Sequence, residues 1–185
     1  MYKVGDIILL NEKFNLWKIN TWLNPFVKFF INLWHKKNKQ AYVNYSHAGI
    51  VAEYQGKLYM WEAVKDGFIP TLPIYERLKG VDHLILRPHF SVIDSQINDL
   101  CLIMEGTPYD YAGVTISSLF HQFTNETFWI ELAPNSQGEK MYCIESVCYI
   151  YNKTDSNLFP NWFATDQKDL YFNKNFQHIK PHTNE

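Results

Sequence analysis

The pattern of hydrophobic and polar positions begins with short apolar runs of the length typical of β-strands. Residues 5–10 form the first such run. Residues 46–54 and 57–64 form two more, and Gln55-Gly56 between them suits a tight two-residue turn. These two runs predict a β-hairpin, and the hairpin in turn predicts an antiparallel sheet.

The pattern is less regular after the hairpin. A loop containing Pro70 and Pro73 is predicted first, because proline interrupts regular elements. Residues 81–87 then predict another strand, which ends before Pro88. From residue 152 onward the chain is polar and aromatic without a clear period, and no element is predicted there.

Helical periodicity follows the last predicted strand. Residues 91–105 predict an amphipathic helix, with Ser91 as its cap and Gly106 as its stop. Residues 143–151 predict a second helix, and residues 114–120 a short one within a loop-like stretch. The apolar stripe of the first helix comprises Ile93, Ile97, Leu100, Cys101 and Met104.

A segment dense in aromatic residues begins at Phe14 and ends at Trp34. Pro25 divides it, which predicts two short helices or one kinked helix. Packing of these helices on the sheet is one interpretation. An apolar wall for a substrate, or contact with a membrane surface, is the alternative, and three nearby lysines favour the membrane contact. These are Lys36, Lys37 and Lys39.

Length and composition restrict the classes of protein. The chain has 185 residues, which predicts a single domain over residues 1–185. Hydrophobic residues make up 46% of it, too many for intrinsic disorder. Its 17 basic and 19 acidic residues give a net charge of −2, which argues against nucleic acid as a partner. The three cysteines do not form a disulfide framework, and no signal peptide is recognised, so a cytoplasmic location is expected.

The hairpin places a histidine and a carboxylate together. A two-residue turn pairs Tyr54 with Lys57, and the same register sets Gly49 opposite Glu62. His47 and Glu62 then share one face as diagonal neighbours, roughly 7–8 Å apart at the backbone. A four-residue loop preserves this arrangement, whereas a three-residue loop puts the two side chains on opposite faces. A carboxylate bonded to one ring nitrogen raises the basicity of the other, so the pair is a candidate general base.

Cys143 is the candidate nucleophile. It lies in the first turn of the second predicted helix, where the helix dipole and free N–H groups favour a thiolate. Cys101 and Cys148 lie on apolar faces and are predicted to be buried and inert. Glu145 lies about 200° from Cys143 around an ideal helix, which predicts a favourable charge at the dipole rather than contact with the thiol.

Other candidate sites carry weaker signals. His83 and His89 lack a cysteine or carboxylate at zinc-ligand spacing, and His178 and His182 lie in the polar tail. The glycines form no phosphate-binding loop. No metal and no cofactor are therefore expected. Tyr109, in a turn-like stretch, could be structural.

Short motifs occur in a fixed order along the chain. They are Gly5-Asp6-Ile7, Ser46-His47-Ala48-Gly49-Ile50-Val51, Trp61-Glu62-Ala63, Gly106-Thr107-Pro108-Tyr109-Asp110, Cys143-Ile144-Glu145-Ser146 and the run Ala164-Thr165-Asp166-Gln167-Lys168-Asp169-Leu170. This set resembles the permuted papain-like amidases, the YiiX-like branch of the NlpC-type cysteine peptidase superfamily. The resemblance spans residues 4–172.

The resemblance implies an α+β fold, in which a small antiparallel sheet, curled toward a barrel, packs against the cysteine helix. It implies that Cys143, His47 and Glu62 are the catalytic trio, and it gives Tyr109 an oxyanion or substrate-binding role. Two features depart from the family: Ile144 replaces a small polar residue, and residues 113–140 form a long insertion.

The expected function is hydrolysis of an amide bond, in a peptide or an N-acyl amide, through a thioester on the cysteine. Related members imply an alternative, acyl transfer or thioester hydrolysis on lipid-like acyl groups. A binding module that keeps the fold without turnover is a second alternative. Docking of the aromatic segment on a membrane surface is a third.

Overall fold

The computed structural model describes residues 1–11, 45, 47–110, 139–165 and 167–180. Within these ranges the strands are β1 (Ile7–Leu10), β2 (His47–Tyr54), β3 (Lys57–Val64), β4 (Gly67–Pro73), β5 (His83–Pro88) and β6 (Phe176–Ile179). The helices are α1 (Ile74–Arg77), α2 (Asp94–Ile103), α3 (Cys143–Thr154) and α4 (Gln167–Phe172), with a 3-10 turn at Trp162–Ala164.

The six strands form one sheet in the order β4-β3-β2-β1-β5-β6. Every neighbouring pair is antiparallel. Among the described residues the sheet is open, with β4 and β6 at its edges, rather than closed into a barrel. The predicted α+β architecture with a small antiparallel sheet is confirmed.

Both faces of the sheet are covered, which explains why all four residues of the central strand β1 are buried. We call the side covered by α2 and α3 the helix face. Its buried hydrophobic strand residues are Ile7, Leu9, Ala48, Ile50, Ala52, Trp61, Ala63, Phe68, Leu84, Leu86 and Phe176. We call the opposite side the α1 face. Its buried hydrophobic residues are Ile8, Leu10, Val51, Met60, Ile74, Leu78 and Ile85.

The predicted loop around Pro70 and Pro73 is wrong. These residues lie in β4, which leads directly into α1. Proline cannot donate to a sheet ladder, but β4 is an edge strand and needs donors on one side only. The tail beyond residue 152, where nothing was predicted, supplies α4 and the edge strand β6.

Two of the predicted helices are confirmed, although their ends differ in part from the prediction. The first is α2, which begins at Asp94 rather than near Ser91. Ile93 is its N-cap residue and is 65% exposed, so it is not part of the buried stripe. Gly106 follows the helix with a φ of 81°, as expected of a stop. The second helix begins at Cys143 as predicted and continues to Thr154.

Several predictions lie outside the described residues. They concern the aromatic segment at 14–34 with the lysines at 36, 37 and 39, the short helix at 114–120, nearly all of the insertion at 113–140, and His182. None of the described helices is both long and apolar enough to cross a membrane.

Candidate active site

The β2–β3 hairpin has the predicted register. Tyr54 pairs with Lys57, and the ladder ends at the pair of Ile50 and Trp61. The turn residues Gln55 and Gly56 have φ values of 50° and 75°, as a type I′ turn requires. This register sets the faces of both strands, because side chains alternate along a strand.

His47 and Glu62 meet on the α1 face, next to Met60 and Val51. The His47 Nε2 atom lies 2.8 Å from Oε2 of Glu62. The Glu62 side chain is fully buried, whereas that of His47 is 15% exposed. The predicted contact between the diagonal neighbours is therefore present.

Two residues that sequence reasoning missed also bind Glu62. The Arg77 guanidinium donates from Nε to Oε1 at 2.7 Å and from its NH2 group to Oε2 at 2.8 Å. The Thr71 hydroxyl donates to Oε1 as well. Burial works against ionisation of Glu62, but the bonds from His47 and Arg77 outweigh it and lower the pKa of the carboxyl to about 2.

A signal for Arg77 was present in the sequence. Arg77 and Arg87 are the two arginines of the chain, and a buried carboxylate requires a partner. Each of the two forms a bidentate pair with a buried acid, Arg77 with Glu62 and Arg87 with Asp6. The sequence pattern predicts a loop for the segment that carries Arg77, so it does not indicate that Arg77 and Glu62 are in contact.

Cys143 and His47 come from opposite faces of the sheet and meet at the first residue of β2. The helix that begins at Cys143 packs on the helix face, while His47 projects from the α1 face. The two meet because His47 is the first residue of its strand and the β2–β3 ladder has already ended at Ile50. The Ala48 N–H, which would otherwise bond across to β3, donates to the Cys143 sulfur, as does the N–H of Ile144.

The environment of Cys143 favours a thiolate. Burial raises the pKa of the thiol, but the charge and hydrogen bond of His47 and the two backbone N–H groups prevail, so the net shift is downward. Burial lowers the pKa of His47, but the Cys143 thiolate and then Glu62 outweigh it and raise the value to about 10. Since Nε2 bonds the Glu62 carboxylate, Nδ1 is the ring nitrogen that can bond the Cys143 sulfur. Both shifts therefore favour the thiolate–imidazolium form of the pair.

The charge state of Glu145 differs from the one that the sequence predicts. Its carboxyl accepts a bond of 3.2 Å from the Tyr142 N–H at the start of α3. Burial, followed by the nearby charges of Asp110 and Cys143, raises its pKa to about 9. Glu145 is therefore protonated at neutral pH, and it caps the helix by hydrogen bonding rather than by a charge at the dipole.

Tyr109 lies beside the start of α3. Its backbone forms a β-bridge with Met141, two residues before Cys143. Its side chain packs against the hydrophobic core on the helix face. Cys101 and Cys148 are buried in that core, as predicted. Burial also raises the pKa of the Cys101 thiol, in contrast to Cys143.

Two of the other described histidines, His83 and His178, bind partners outside this cluster. His83 accepts a bond from the Tyr2 hydroxyl at Nε2 and donates from Nδ1 to the Val81 carbonyl. His178 lies on the exposed strand β6, where its ring stacks edge-on against Tyr171. In the ranges that the structure covers, no three side chains of His, Cys, Asp or Glu converge as metal ligands would.

Comparisons with known proteins give one line of evidence on the fold. No protein-family model matches the chain, and no curated protein sequence matches it. The solved structure of the metalloprotein YiiX from Escherichia coli O157:H7 is similar to it over 97% of each chain, with a TM-score of 0.55 and 15% identity. At that identity the likeness concerns the fold alone, and it agrees with the YiiX-like part of the resemblance seen in the motifs.

Proposed function

We propose that this protein is a cysteine hydrolase of the permuted papain-like type, which cleaves an amide bond through a thioester on Cys143. One observation carries the proposal: the Cys143 sulfur, the His47 ring and the Glu62 carboxylate form a continuous hydrogen-bonded chain. The order of the residues, with histidine before cysteine, and the fold shared with YiiX support the permuted assignment.

In the proposed reaction the Cys143 thiolate attacks the amide carbonyl carbon, and the C=O π electrons move onto the oxygen. First-turn N–H groups of α3 stabilise this oxyanion, with Tyr109 as a further candidate donor. The His47 imidazolium gives its Nδ1 proton to the leaving nitrogen as the C–N bond breaks. Glu62 holds the ring in the orientation that this transfer needs.

Water completes the cycle. Neutral His47 accepts a proton from water, whose oxygen attacks the thioester carbon. The C–S bond then breaks, which releases a carboxylic acid and restores the thiolate and the imidazolium. An acyl acceptor that replaced water would make the same chain of residues an acyltransferase. The proposed substrates are a small peptide, an N-acyl amide or a lipid-like acyl compound.

The metal suggested by the name of the YiiX structure does not fit these residues. Both oxygens of Glu62 already accept hydrogen bonds, and the Arg77 guanidinium beside them would repel a cation. Cys143 and His47 alone would supply two ligands, fewer than the three or four of ordinary zinc sites. The proposed reaction therefore proceeds through the thiolate.

Two measurements test the proposal. Iodoacetamide alkylation, followed peptide by peptide between about pH 5 and about pH 9, should find Cys143 reacting as a thiolate well below the ordinary thiol pKa of about 8.5. His47→Ala should abolish that behaviour, while Cys101 and Cys148 serve as slow internal references. A Cys143 rate that rises only near pH 8.5 in the wild type would contradict the proposal.

The second measurement traps the intermediate. Incubation with p-nitrophenyl esters of short and long acyl chains should give an acyl adduct on Cys143, detected by mass spectrometry, and none in Cys143→Ala. Loss of the adduct in water alone indicates hydrolysis, and loss only after an amine or lipid acceptor is added indicates acyl transfer. Absence of any adduct despite a reactive thiolate would argue for a binding module.

A further inference from the structure

The position of Arg77 is fixed by the short helix that carries it. It is the last residue of α1, a helix of four residues that follows β4 without a loop. Ile74 within this helix and Leu78 just after it are both buried against the α1 face of the sheet. Arg77 itself is 16% exposed, and two of its nitrogens bond the two oxygens of Glu62.

The Glu62 carboxylate has no freedom to turn. Four donors reach its two oxygens: Nε and NH2 of Arg77, the Thr71 hydroxyl and Nε2 of His47. A carboxylate has about four lone-pair positions, so its hydrogen-bonding capacity is filled. The planar guanidinium sets the plane of the carboxylate, and the carboxylate in turn sets the direction of the His47 ring.

The charges of the cluster sum to zero only when Arg77 is counted. The Cys143 thiolate and Glu62 are negative, and His47 and Arg77 are positive. Among the described residues, Glu145 and Asp110 are further ionisable groups near Cys143, and they interact with each other. Thr71 brings no charge. Without the guanidinium, the buried cluster would carry an excess negative charge and would take up a proton more readily.

We propose that Arg77 is a positioning residue that sets the pH range over which Cys143 is a thiolate, through its fixed positive charge on Glu62. This inference rests on the proposed function. It assigns Arg77 a role that acts through the Glu62 carboxylate, whose two oxygens the guanidinium binds.

The test compares two substitutions at Arg77 with one control substitution at Arg87, the other arginine that forms an ion pair with a buried acid. Arg77→Gln keeps hydrogen-bond donors and removes the charge, whereas Arg77→Lys keeps the charge and loses the planar fork. Arg87→Gln is the control, because Arg87 binds Asp6 with the same bidentate geometry and is 19% exposed. The measured quantity is the pH midpoint of Cys143 alkylation by iodoacetamide.

Arg77→Gln should move this midpoint upward by about one pH unit, because loss of a nearby positive charge favours the protonated thiol. Arg77→Lys and Arg87→Gln should leave it within about 0.3 unit of the wild type. A purely structural role would lower the yield of folded protein without moving the midpoint.

Each outcome has a distinct meaning. An unchanged midpoint in folded Arg77→Gln would overturn the inference while leaving the proposed function intact. If Arg77→Gln does not fold, Arg77→Lys still decides, because an upward shift of a full unit there would show that charge is not the controlling property. A wild type with no reactive thiolate would refute the proposed function itself.

Discussion

Gly49 and Glu62 face one another across the β2–β3 hairpin so closely that a Cβ atom on Gly49 would stand 3.0 Å from Cγ of Glu62. The same atom would lie 2.6 Å from the Met60 Cε atom, which belongs to a flexible side chain, and 2.8 Å from the Trp61 carbonyl oxygen, which is part of the backbone and cannot turn away. Glycine is required here by the space that the neighbouring strand occupies.

Gly49→Ala is therefore expected to displace Glu62 and to lower stability by about 2 kcal/mol, as overpacking in a buried region does. The reactivity of Cys143 should fall with it, because His47 loses its fixed partner. Urea unfolding and iodoacetamide alkylation measure the two effects.

Gly56→Ala is the matched control. Gly56 has a φ of 75° but nothing within 4 Å of an added Cβ, so the cost should be about 1 kcal/mol of backbone strain. Alkylation of Cys143 should be unchanged in this variant. Equal loss of reactivity in both variants would mean that Gly49 acts through general stability rather than through Glu62.

Glu62→Gln should be strongly destabilising at neutral pH, by about 3 kcal/mol, because it removes the buried negative charge that the Arg77 guanidinium and the His47 ring bind. The penalty should depend on pH. The folded pKa of Glu62 is about 2, below the ordinary value of 4.5, so its contribution is complete above pH 4.5 and is lost as the pH falls toward 2.

The difference in urea midpoint between wild type and Glu62→Gln should therefore narrow from about pH 4.5 downward. A difference that stays constant through this acid range would show that Glu62 stabilises the fold by its shape rather than by its charge.

Glu145→Gln should stabilise the protein, with the opposite pH dependence. The folded pKa of Glu145 is about 9, so between pH 4.5 and pH 9 the unfolded chain loses this proton while the folded chain keeps it. Stability from this group falls across that window. Glutamine cannot ionise and still accepts the Tyr142 N–H bond.

The gain from Glu145→Gln should be near zero below pH 4.5 and should grow as the pH rises toward 9, by at most about 1.4 kcal/mol per pH unit. Glu105→Gln, at an exposed position after α2, should change stability by less than about 0.5 kcal/mol at every pH. Chemical unfolding at several pH values measures both. A gain that does not grow with pH would contradict the protonated state of Glu145.

The sequence by itself determined the parts of this protein that depend on local rules. The Gln55-Gly56 turn set the register of the hairpin, and the two-residue period of a strand then put His47 and Glu62 on one face. The 3.6-residue period placed Cys143 at the start of a helix. Each of these follows from geometry within a few residues of the chain.

Tertiary structure decided the rest. Arg77 and Thr71 bind Glu62 only because an edge strand accepts Pro70 and Pro73, which the sequence alone assigned to a loop. Cys143 meets His47 only because the β2–β3 ladder ends early and opens the strand end to a helix from the other face. These contacts join segments distant in sequence, and their energies come from burial and from charges brought together, which no local pattern records.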